Sequence, residues 1–443
     1  MKIAWFTPFS TDSAIGRCGG LIASELEKQA EVHIWHPDTE KPRKTTVRSV
    51  HFRSASAVDL KVLAEYDLVV YNFGNHLPFH KEIFLLSQRF PGICILHDFV
   101  MHHFFAGYYL EDLRSPQAYI STMSRLYGQP GFRAAEDVLA GRRRVWETEE
   151  VVDFPLFEET LRRADGVVTH SEFFRKRVRQ VYAGPLTKLS LPYDAVESSS
   201  SLTRAALKVP EEHVLLVTVG QVNPNKRIDS VIKVLAGNPA LRGRLTYAVL
   251  GSHEGSYYHQ LVALVAQLGM KSAVRLLGYA SDEVFQAYSA HADIFVNLRF
   301  PALEGASASA IEEMLCGKPV IVTDTGFYKE LPGECVWKID PAREEEDLTA
   351  ALQQLTADAA VRSQLGTRAR EYARKHFRAD RYAREFLRFA QDVRGAKPIL
   401  HLTDRLADEL NTMGVTSDMK IVQTLSRECH ELLCGAATPP EEN

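Results

Sequence analysis

The sequence predicts an α/β protein made of two doubly wound domains that face a shared cleft. Short runs rich in β-branched residues alternate with segments of helical periodicity, which is the pattern of βαβ units and parallel sheets. The pattern occurs twice along the chain. A length of 443 residues also suits two or three domains rather than one.

The predicted strands divide into an amino-terminal and a carboxyl-terminal set. The first set covers residues 2–6, 31–36, 67–72, 92–97 and 166–170. The second set covers residues 214–219, 245–250, 273–277, 293–298, 319–323 and 335–338. A serine run at 198–201, followed by Pro210, has the composition of a linker. We therefore expect domains at 1–197 and 205–380, with a helical extension at 381–443 that packs back toward the first domain.

Composition and charge argue against several classes of protein, including disordered chains and nucleic-acid-binding proteins. With 45% hydrophobic and 24% charged residues, the chain is not of the disordered class. A net charge of −4 does not indicate nucleic acid as a partner. The six cysteines are scattered without metal-site spacing, which favours reduced thiols. No signal peptide or membrane span is evident in the sequence, so we expect a cytoplasmic protein.

The most informative segment runs from residue 299 to residue 322. A strand ends, a turn of small residues follows, and a helix begins near Ala306, so backbone N–H groups and the positive end of the helix dipole form an anion site. Two acids eight positions apart, Glu304 and Glu312, can accept hydrogen bonds from sugar or ribose hydroxyls. Together these features favour a polyhydroxylated phosphate ester as ligand. The alternative is that Glu304 caps the helix and Glu312 is solvated.

This segment resembles the E-x7-E signature of the retaining family-4 glycosyltransferases with the GT-B fold. The matching positions are Glu304, Gly305, Ser307, Glu312, Gly317, Pro319 and Val320. The resemblance implies an enzyme that moves a sugar from a nucleotide-diphosphate donor to a hydroxyl acceptor with retention. It also implies a site that uses neither a metal ion nor a cofactor, and a role in bacterial polysaccharide or glycoconjugate synthesis.

A second match lies at residues 219–229. In the family, an arginine and a lysine five residues later hold the donor diphosphate. Lys226 falls on the lysine position, whereas Gln221 stands where arginine is usual. This departure removes one positive charge, so either Arg227 or the helix N-terminus would carry more of the diphosphate charge, or the geometry of the bound donor differs. The alternative for Lys226 and Arg227 is a pair of surface charges at a helix start.

Two shorter matches extend the donor site. Tyr279 and Ala280 follow a glycine after which the family binds the nucleotide base, although packing is an almost equal alternative for the tyrosine ring. Gly16 resembles the Gly-rich loop at which an amino-terminal helix approaches the donor phosphates. That match is weak because Ala14 replaces a glycine of the pattern.

The amino-terminal half resembles a bacterial branch of the same family at residues 71–80 and 91–103. In that branch a His-Asp pair after a strand lies at the sugar end of the cleft, which implies that His97 contacts the transferred sugar or its developing charge. Asn75, Asp98 and His102 are the acceptor-side candidates. The histidine density also has the residue types of a metal cluster, but structural histidines are the simpler interpretation of His102 and His103.

The resemblance assigns one role to each donor-site residue. Lys226 and the amides of Gly305, Ala306 and Ser307 bind phosphate, Glu304 binds sugar hydroxyls, and Glu312 binds the ribose. Other functions stay open. One is a catalytically idle nucleotide-sugar sensor, and another is a dinucleotide-dependent oxidoreductase, which the absence of a GxGxxG fingerprint after the first strand disfavours. A sugar-phosphate phosphorylase or an epimerase on the same fold is a further alternative, which product analysis would decide.

Basic and apolar residues interleave on a predicted helix at 171–182. Arg175, Lys176, Arg177 and Arg179 alternate with Phe173, Phe174, Val178 and Val181. Such a face suits peripheral contact with an anionic bilayer, as a lipid-linked acceptor would require. An ordinary amphipathic surface helix is the alternative.

Overall fold

The computed structural model describes residues 1–37, 42–194, 200, 202–253, 255–416 and 419–434. These residues form two parallel sheets, which the helices surround. The seven-stranded sheet has the order β3-β2-β1-β4-β5-β6-β7, and the six-stranded sheet has the order β10-β9-β8-β11-β12-β13. The strands of the first sheet are β1 Lys2–Phe6, β2 Glu31–His36, β3 Arg48–His51, β4 Leu68–Phe73, β5 Gly92–Leu96, β6 Ala164–Thr169 and β7 Leu186–Lys188. Those of the second sheet are β8 Val214–Val219, β9 Leu245–Leu250, β10 Val274–Gly278, β11 Ile294–Asn297, β12 Val320–Thr323 and β13 Trp337–Ile339.

Helices connect these strands and cover the sheets. The amino-terminal helices are α1 Ala14–Leu26, α2 Leu60–Leu63, α3 Leu77–Ser87, α4 His102–Ala106, α5 Pro116–Leu139 and α6 Glu172–Arg179. The carboxyl-terminal helices are α7 Ile228–Gly237, α8 Pro239–Arg242, α9 Tyr257–Gln267, α10 Asp282–His291, α11 Ala308–Leu315, α12 Glu344–Ala357, α13 Ala359–His376, α14 Ala379–Thr412 and α15 Lys420–Cys434. Both sheets are therefore doubly wound.

The sequence pattern did not predict two of the thirteen described strands, β3 and β7. They are the two edge strands of the first sheet, so each pairs with a neighbouring strand on one side. β3 carries polar residues and is mostly exposed, and β7 has only three residues. The interior strands β4, β5 and β8 are buried along their whole length, which is why they read as continuous apolar runs.

Helix α14 follows the carboxyl-terminal domain in sequence but packs on the amino-terminal one. Phe389 and Val393 lie against β6 at Gly166, where a Cβ atom would be 2.5 Å from Val393, so only glycine permits this approach. Farther along α14, Lys397 and His401 contact the Asp165 carboxylate at 3.2 and 2.9 Å. One continuous apolar cluster thereby joins residues of both domains.

Two sequence expectations concern the remaining chain. The linker predicted at 198–201 lies outside the described residues except for Ser200. Among the described residues, no helix has the length and apolar character that would let it cross a bilayer.

Candidate functional site

The two sheets meet at the carboxyl ends of their strands, where open α/β sheets bind ligands. The Gly305 amide donates to the His97 carbonyl at 2.8 Å, and the Val100 amide donates to the Leu303 carbonyl at 2.9 Å. Asp98 and Glu304 stand opposite each other in a short antiparallel bridge. The E-x7-E segment of one domain thus contacts the His-Asp pair of the other.

Glu304 is held from two sides by its own domain. Its Oε1 lies 3.2 Å from Arg299 Nε and accepts a hydrogen bond from the Tyr328 hydroxyl. Arg299 and Tyr328 are both buried. The carboxylate therefore has a defined position beside Asp98, and Tyr328 comes from a segment 24 residues away that the sequence analysis did not include.

Lys226 is buried, although it lies in a loop. Its Nζ donates to the Val219 carbonyl at 2.6 Å and lies close to Gly220, whose positive φ of 95° suits glycine. Burial, together with the neighbouring Arg299 guanidinium, lowers the pKa of the Lys226 ammonium well below its usual value. The nearby Glu313 and Glu304 side chains act against this shift, because each raises the pKa of Lys226. A bound anion would favour the charged ammonium.

Glu313 is a further buried acid that sequence reasoning missed. Its Oε2 accepts from Asn297 Nδ2 at 2.7 Å, while its buried Oε1 has no partner among the described residues. Burial raises the pKa of Glu313 to about 8, and Arg299 and Lys226 oppose that rise. The sequence signal that could have revealed Glu313 is its position four residues after Ser309 on α11. This spacing puts both side chains on one face of the helix, toward Asn297.

Glu312, the second acid of the motif, faces the amino-terminal domain. Its Oε2 accepts from the Tyr193 hydroxyl at 2.8 Å, and its Oε1 is 3.9 Å from Arg17 Nη1. Arg17 also stacks over the Tyr193 ring. Glu312 is thus connected to the first helix of the other domain, directly after Gly16. That glycine lies in the first turn of α1, where a Cβ atom would be 2.4 Å from the Pro8 carbonyl oxygen.

His97 is buried and held as a neutral ring. Asn72 donates through Nδ2 to the Phe6 carbonyl, so its Oδ1 accepts from His97 Nε2 at 3.0 Å. Burial, with His170 and His80 nearby, lowers the pKa of His97 well below its usual value. The ring packs against that of His170 at a centroid distance of 4.8 Å. These contacts and the lowered pKa favour the neutral form of the His97 imidazole.

Asp98 and Asn75 form the wall next to His97. Asp98 Oδ2 accepts from the Asn75 amide at 2.8 Å, and the Asn75 side chain accepts from the Phe104 amide. Burial raises the pKa of Asp98 to about 7, and the nearby Glu304 carboxylate adds to the rise. At neutral pH this carboxyl group is close to half protonated.

The start of α11 is organised by Ser307. Its Oγ accepts from the Ala310 amide at 3.2 Å, as an N-cap residue should, and both Ser307 and Ala306 are buried. The prediction that the Gly305 amide binds phosphate does not hold in this conformation. That N–H donates to the His97 carbonyl across the domain contact.

Comparison with known proteins finds a family model that matches part of the chain. Residues 200–375 match the model of a family described as glycosyl transferases group 1. The matched residues are less than half of the 443-residue chain and cover the carboxyl-terminal sheet. The D-inositol 3-phosphate glycosyltransferase of Saccharomonospora viridis is 30% identical over 187 residues, which are 40% of this chain and 42% of that protein. The chain thus spans less than half the length of this curated relative.

Solved structures of glycosyltransferase fold extend the likeness over most of the chain. HepE of Anabaena, solved with UDP, has a TM-score of 0.60 at 18% identity and covers 88% of this chain and 99% of its own. Sucrose-phosphate synthase of Thermosynechococcus elongatus has a TM-score of 0.62 at 17% identity and covers 89% of this chain and 100% of its own. The fold is GT-B, with two Rossmann-like domains.

Some residues that the resemblance assigned to the donor lie elsewhere in this structure. Arg227 turns away, because its Nε donates to both oxygens of Glu344 at 3.1 Å, and Gln221 is exposed. Tyr279 is 81% exposed, whereas Ala280 packs on the core. The idea that Arg227 replaces the missing charge is therefore not supported by its position.

His102 is a structural residue, which corrects its assignment to the acceptor side. Its two ring nitrogens bond the Phe154 carbonyl at 2.6 Å and the Tyr119 hydroxyl at 2.7 Å. Burial lowers the pKa of His102 to about 4. Both polar atoms are therefore occupied inside the amino-terminal core.

Helix α6 does not present the predicted apolar stripe to a bilayer. Phe174 and Val178 are buried, and the Phe173 amide donates to Glu330 of the carboxyl-terminal domain at 2.7 Å. Arg175 pairs with Glu172 on the same helix. The helix lies at the domain contact, which favours the interpretation as an ordinary amphipathic helix.

Proposed function

We propose that the protein transfers a sugar from a nucleoside-diphosphate sugar to a hydroxyl acceptor, as a retaining family-4 glycosyltransferase. The observation that carries the proposal is the meeting of a buried lysine, the E-x7-E acids and the His-Asp pair at one domain contact. The lysine would bind the phosphates of the donor. Glu304 and the His-Asp pair would bind its sugar, and Glu312 would bind its ribose. The group 1 match and the GT-B fold support the same reaction class.

In this proposal Lys226 and the start of α11 receive the diphosphate. An ammonium and the amides of Ala306 and Ser307 stabilise the negative charge that develops on the leaving group. These groups replace a divalent cation, so the reaction needs no metal ion or other cofactor. The Gly305 amide joins them when its bond to His97 opens, which requires a small separation of the domains.

Glu304 and His97 bind the transferred sugar. Arg299 and Tyr328 hold the Glu304 carboxylate so that its second oxygen, Oε2, can accept from a sugar hydroxyl. The His97 Nε2–H is engaged by Asn72, so the ring offers the lone pair of Nδ1 as an acceptor. Glu312 binds the ribose, and the leaving diphosphate takes the proton of the acceptor hydroxyl.

The acceptor reaches the site beside Asp98 and Asn75. The curated relatives are named for D-inositol 3-phosphate, so a phosphorylated polyol is the first acceptor to test. A lipid-linked sugar is the second, and it would require contact with a bilayer, although two of the apolar side chains predicted for that contact, Phe174 and Val178, are buried. Flotation with anionic vesicles at low salt tests that contact, and absence of the protein from the vesicle fraction rejects it.

The first experiment measures calorimetric binding of UDP, GDP and ADP, with NAD as the control. Binding of one diphosphate in EDTA, followed by sugar transfer whose product keeps the anomeric configuration by NMR, supports the proposal. Tight binding without transfer or slow hydrolysis of the donor indicates the idle sensor. Binding of NAD alone indicates the oxidoreductase and rejects the proposal.

A further inference from the structure

We propose that Arg299 is the second cation of the donor-diphosphate site and takes the role that the arginine missing at position 221 would have. This inference rests on the proposed function, since it assigns a residue to the diphosphate that the donor carries. Arg299 begins the segment that resembles the E-x7-E signature, but it is not one of the matching positions and the resemblance gave it no role. The inference adds no covalent step: Arg299 binds the diphosphate and stabilises it as a leaving group.

Arg299 lies directly beyond β11, at the carboxyl edge of the second sheet. Its backbone amide donates to Thr323 Oγ1 at 3.0 Å, which fixes the chain, and its side chain is buried. The guanidinium has Glu304 Oε1 at 3.2 Å from Nε and the Leu298 carbonyl at 2.7 Å from Nη1. Nη2 makes a long contact of 3.5 Å to Ser309 Oγ. Arg299 is therefore aimed from the strand end toward the start of α11.

Arg299 and Lys226 are close enough to repel each other inside the protein. The guanidinium is the second cause, after burial, of the lowered pKa of Lys226. Two buried like charges side by side are unfavourable unless an anion offsets them. Burial raises the pKa of Glu313, which favours its neutral form, so the Glu304 carboxylate that pairs with Arg299 is the main acid facing the two basic groups among the described residues. A diphosphate has the charge that this arrangement lacks.

Neighbouring cations are committed to other partners. Arg227 is bonded to Glu344. Across the domain contact, Arg17 lies against Tyr193 and Glu312. Gln221 is exposed and carries no charge. Arginine also suits the role chemically, because its planar donors bind phosphate oxygens in pairs and its charge persists when buried.

The test compares a nucleoside diphosphate with its monophosphate. UDP, GDP and ADP are first titrated into the full-length wild-type protein, and the tightest binder and its monophosphate are then used for all variants. Arg299→Gln should weaken diphosphate binding about 10-fold to 100-fold and monophosphate binding less than about 3-fold. Arg204→Gln is the matched control, because Arg204 is a part-buried arginine of the same domain that pairs with Asp293.

Rescue separates a binding role from a structural one. Arg299→Gln removes a partner of Glu304, so each variant is first checked for folding by circular dichroism. Adding Gln221→Arg to Arg299→Gln should recover most of the diphosphate affinity, and Arg299→Lys should recover part of it. If Arg299→Gln does not fold, the test uses Arg299→Lys and the double variant Arg299→Lys/Gln221→Arg. The inference is overturned if Arg299→Lys discriminates between diphosphate and monophosphate as well as wild type does and the added Gln221→Arg brings no gain in diphosphate affinity.

Failure of the inference differs from failure of the proposed function. If the wild-type protein binds no nucleoside diphosphate, the proposed function fails. If it does bind one, and Arg299→Gln binds it equally well or loses diphosphate and monophosphate to the same extent, only the assignment of Arg299 fails.

Discussion

The two sides of the domain contact bury titratable groups in different ways. The carboxyl-terminal side combines cations with acids, with Lys226 and Arg299 next to Glu304. The amino-terminal side instead drives its groups toward neutrality: burial lowers the pKa of His170 to about 4 and raises that of Asp98 to about 7. On the carboxyl-terminal side the Arg299–Glu304 pair reduces the cost of buried charge, and burial also shifts the pKa of Lys226 and of Glu313 toward the neutral form. On the amino-terminal side neutralisation alone reduces that cost. The difference suits a charged diphosphate on one side and an uncharged sugar on the other.

The largest effect should come from the charged side. Lys226→Ala should lower kcat/KM for transfer about 10²-fold to 10³-fold, because it removes a cation at the leaving group. Lys233→Ala is the control, since Lys233 is an exposed lysine of the same domain bonded to Asp229. Steady-state kinetics over a range of donor concentrations measures both variants. Wild-type turnover in Lys226→Ala would reject the role of the charged side.

An intermediate effect should come from the neutral side through pH. The native protein holds a proton on Asp98 up to about pH 7, whereas the unfolded chain releases it near the usual pKa of Asp, 3.8. The wild-type free energy of unfolding therefore decreases as pH rises from 4 through 7, because the unfolded chain releases this proton while the native protein still holds it. Asp98→Asn does not titrate, so its stability relative to wild type should increase by about 2–3 kcal/mol between pH 5 and pH 8.

Chemical denaturation at several pH values measures this change. Glu111→Gln is the control, because Glu111 is exposed on the same domain and its substitution should shift stability by a similar amount at each pH. An Asp98→Asn difference that stays constant with pH would show that the Asp98 carboxyl is ionised in the native protein. The neutral character of this side would then be wrong.

The smallest effect should come from the bond that links the two sides. Glu312→Ala should raise the donor KM about tenfold and change kcat less than about threefold, because a ribose contact acts equally in the ground and transition states. Tyr193→Phe removes one hydrogen bond to Glu312 and should raise KM only about twofold. A fall in kcat with unchanged KM would instead place Glu312 at the reacting centre.

Much of the fold and part of the site could be predicted from local pattern. The alternation of apolar runs and helices predicted eleven of the described strands, and it failed only for the short or polar strands near the sheet edge, β3 and β7. The spacing of two acids singled out Glu304, and the family resemblance singled out Lys226. Each lies between the end of a strand and the start of the next α-helix. Arg299 and Tyr328 escaped notice, since their importance depends on contact with Glu304 rather than on a pattern.

The sequence by itself determined which residues stand at strand ends and helix starts, because these positions depend on neighbours within a few residues. Tertiary structure decided which of them meet. It turned Arg227 to Glu344, brought Arg299 to Lys226, and joined the Gly305 amide to His97. These partners are up to about two hundred residues apart in the chain. Only the packing of sheets and domains sets such distances, and burial then decides which groups keep their charge.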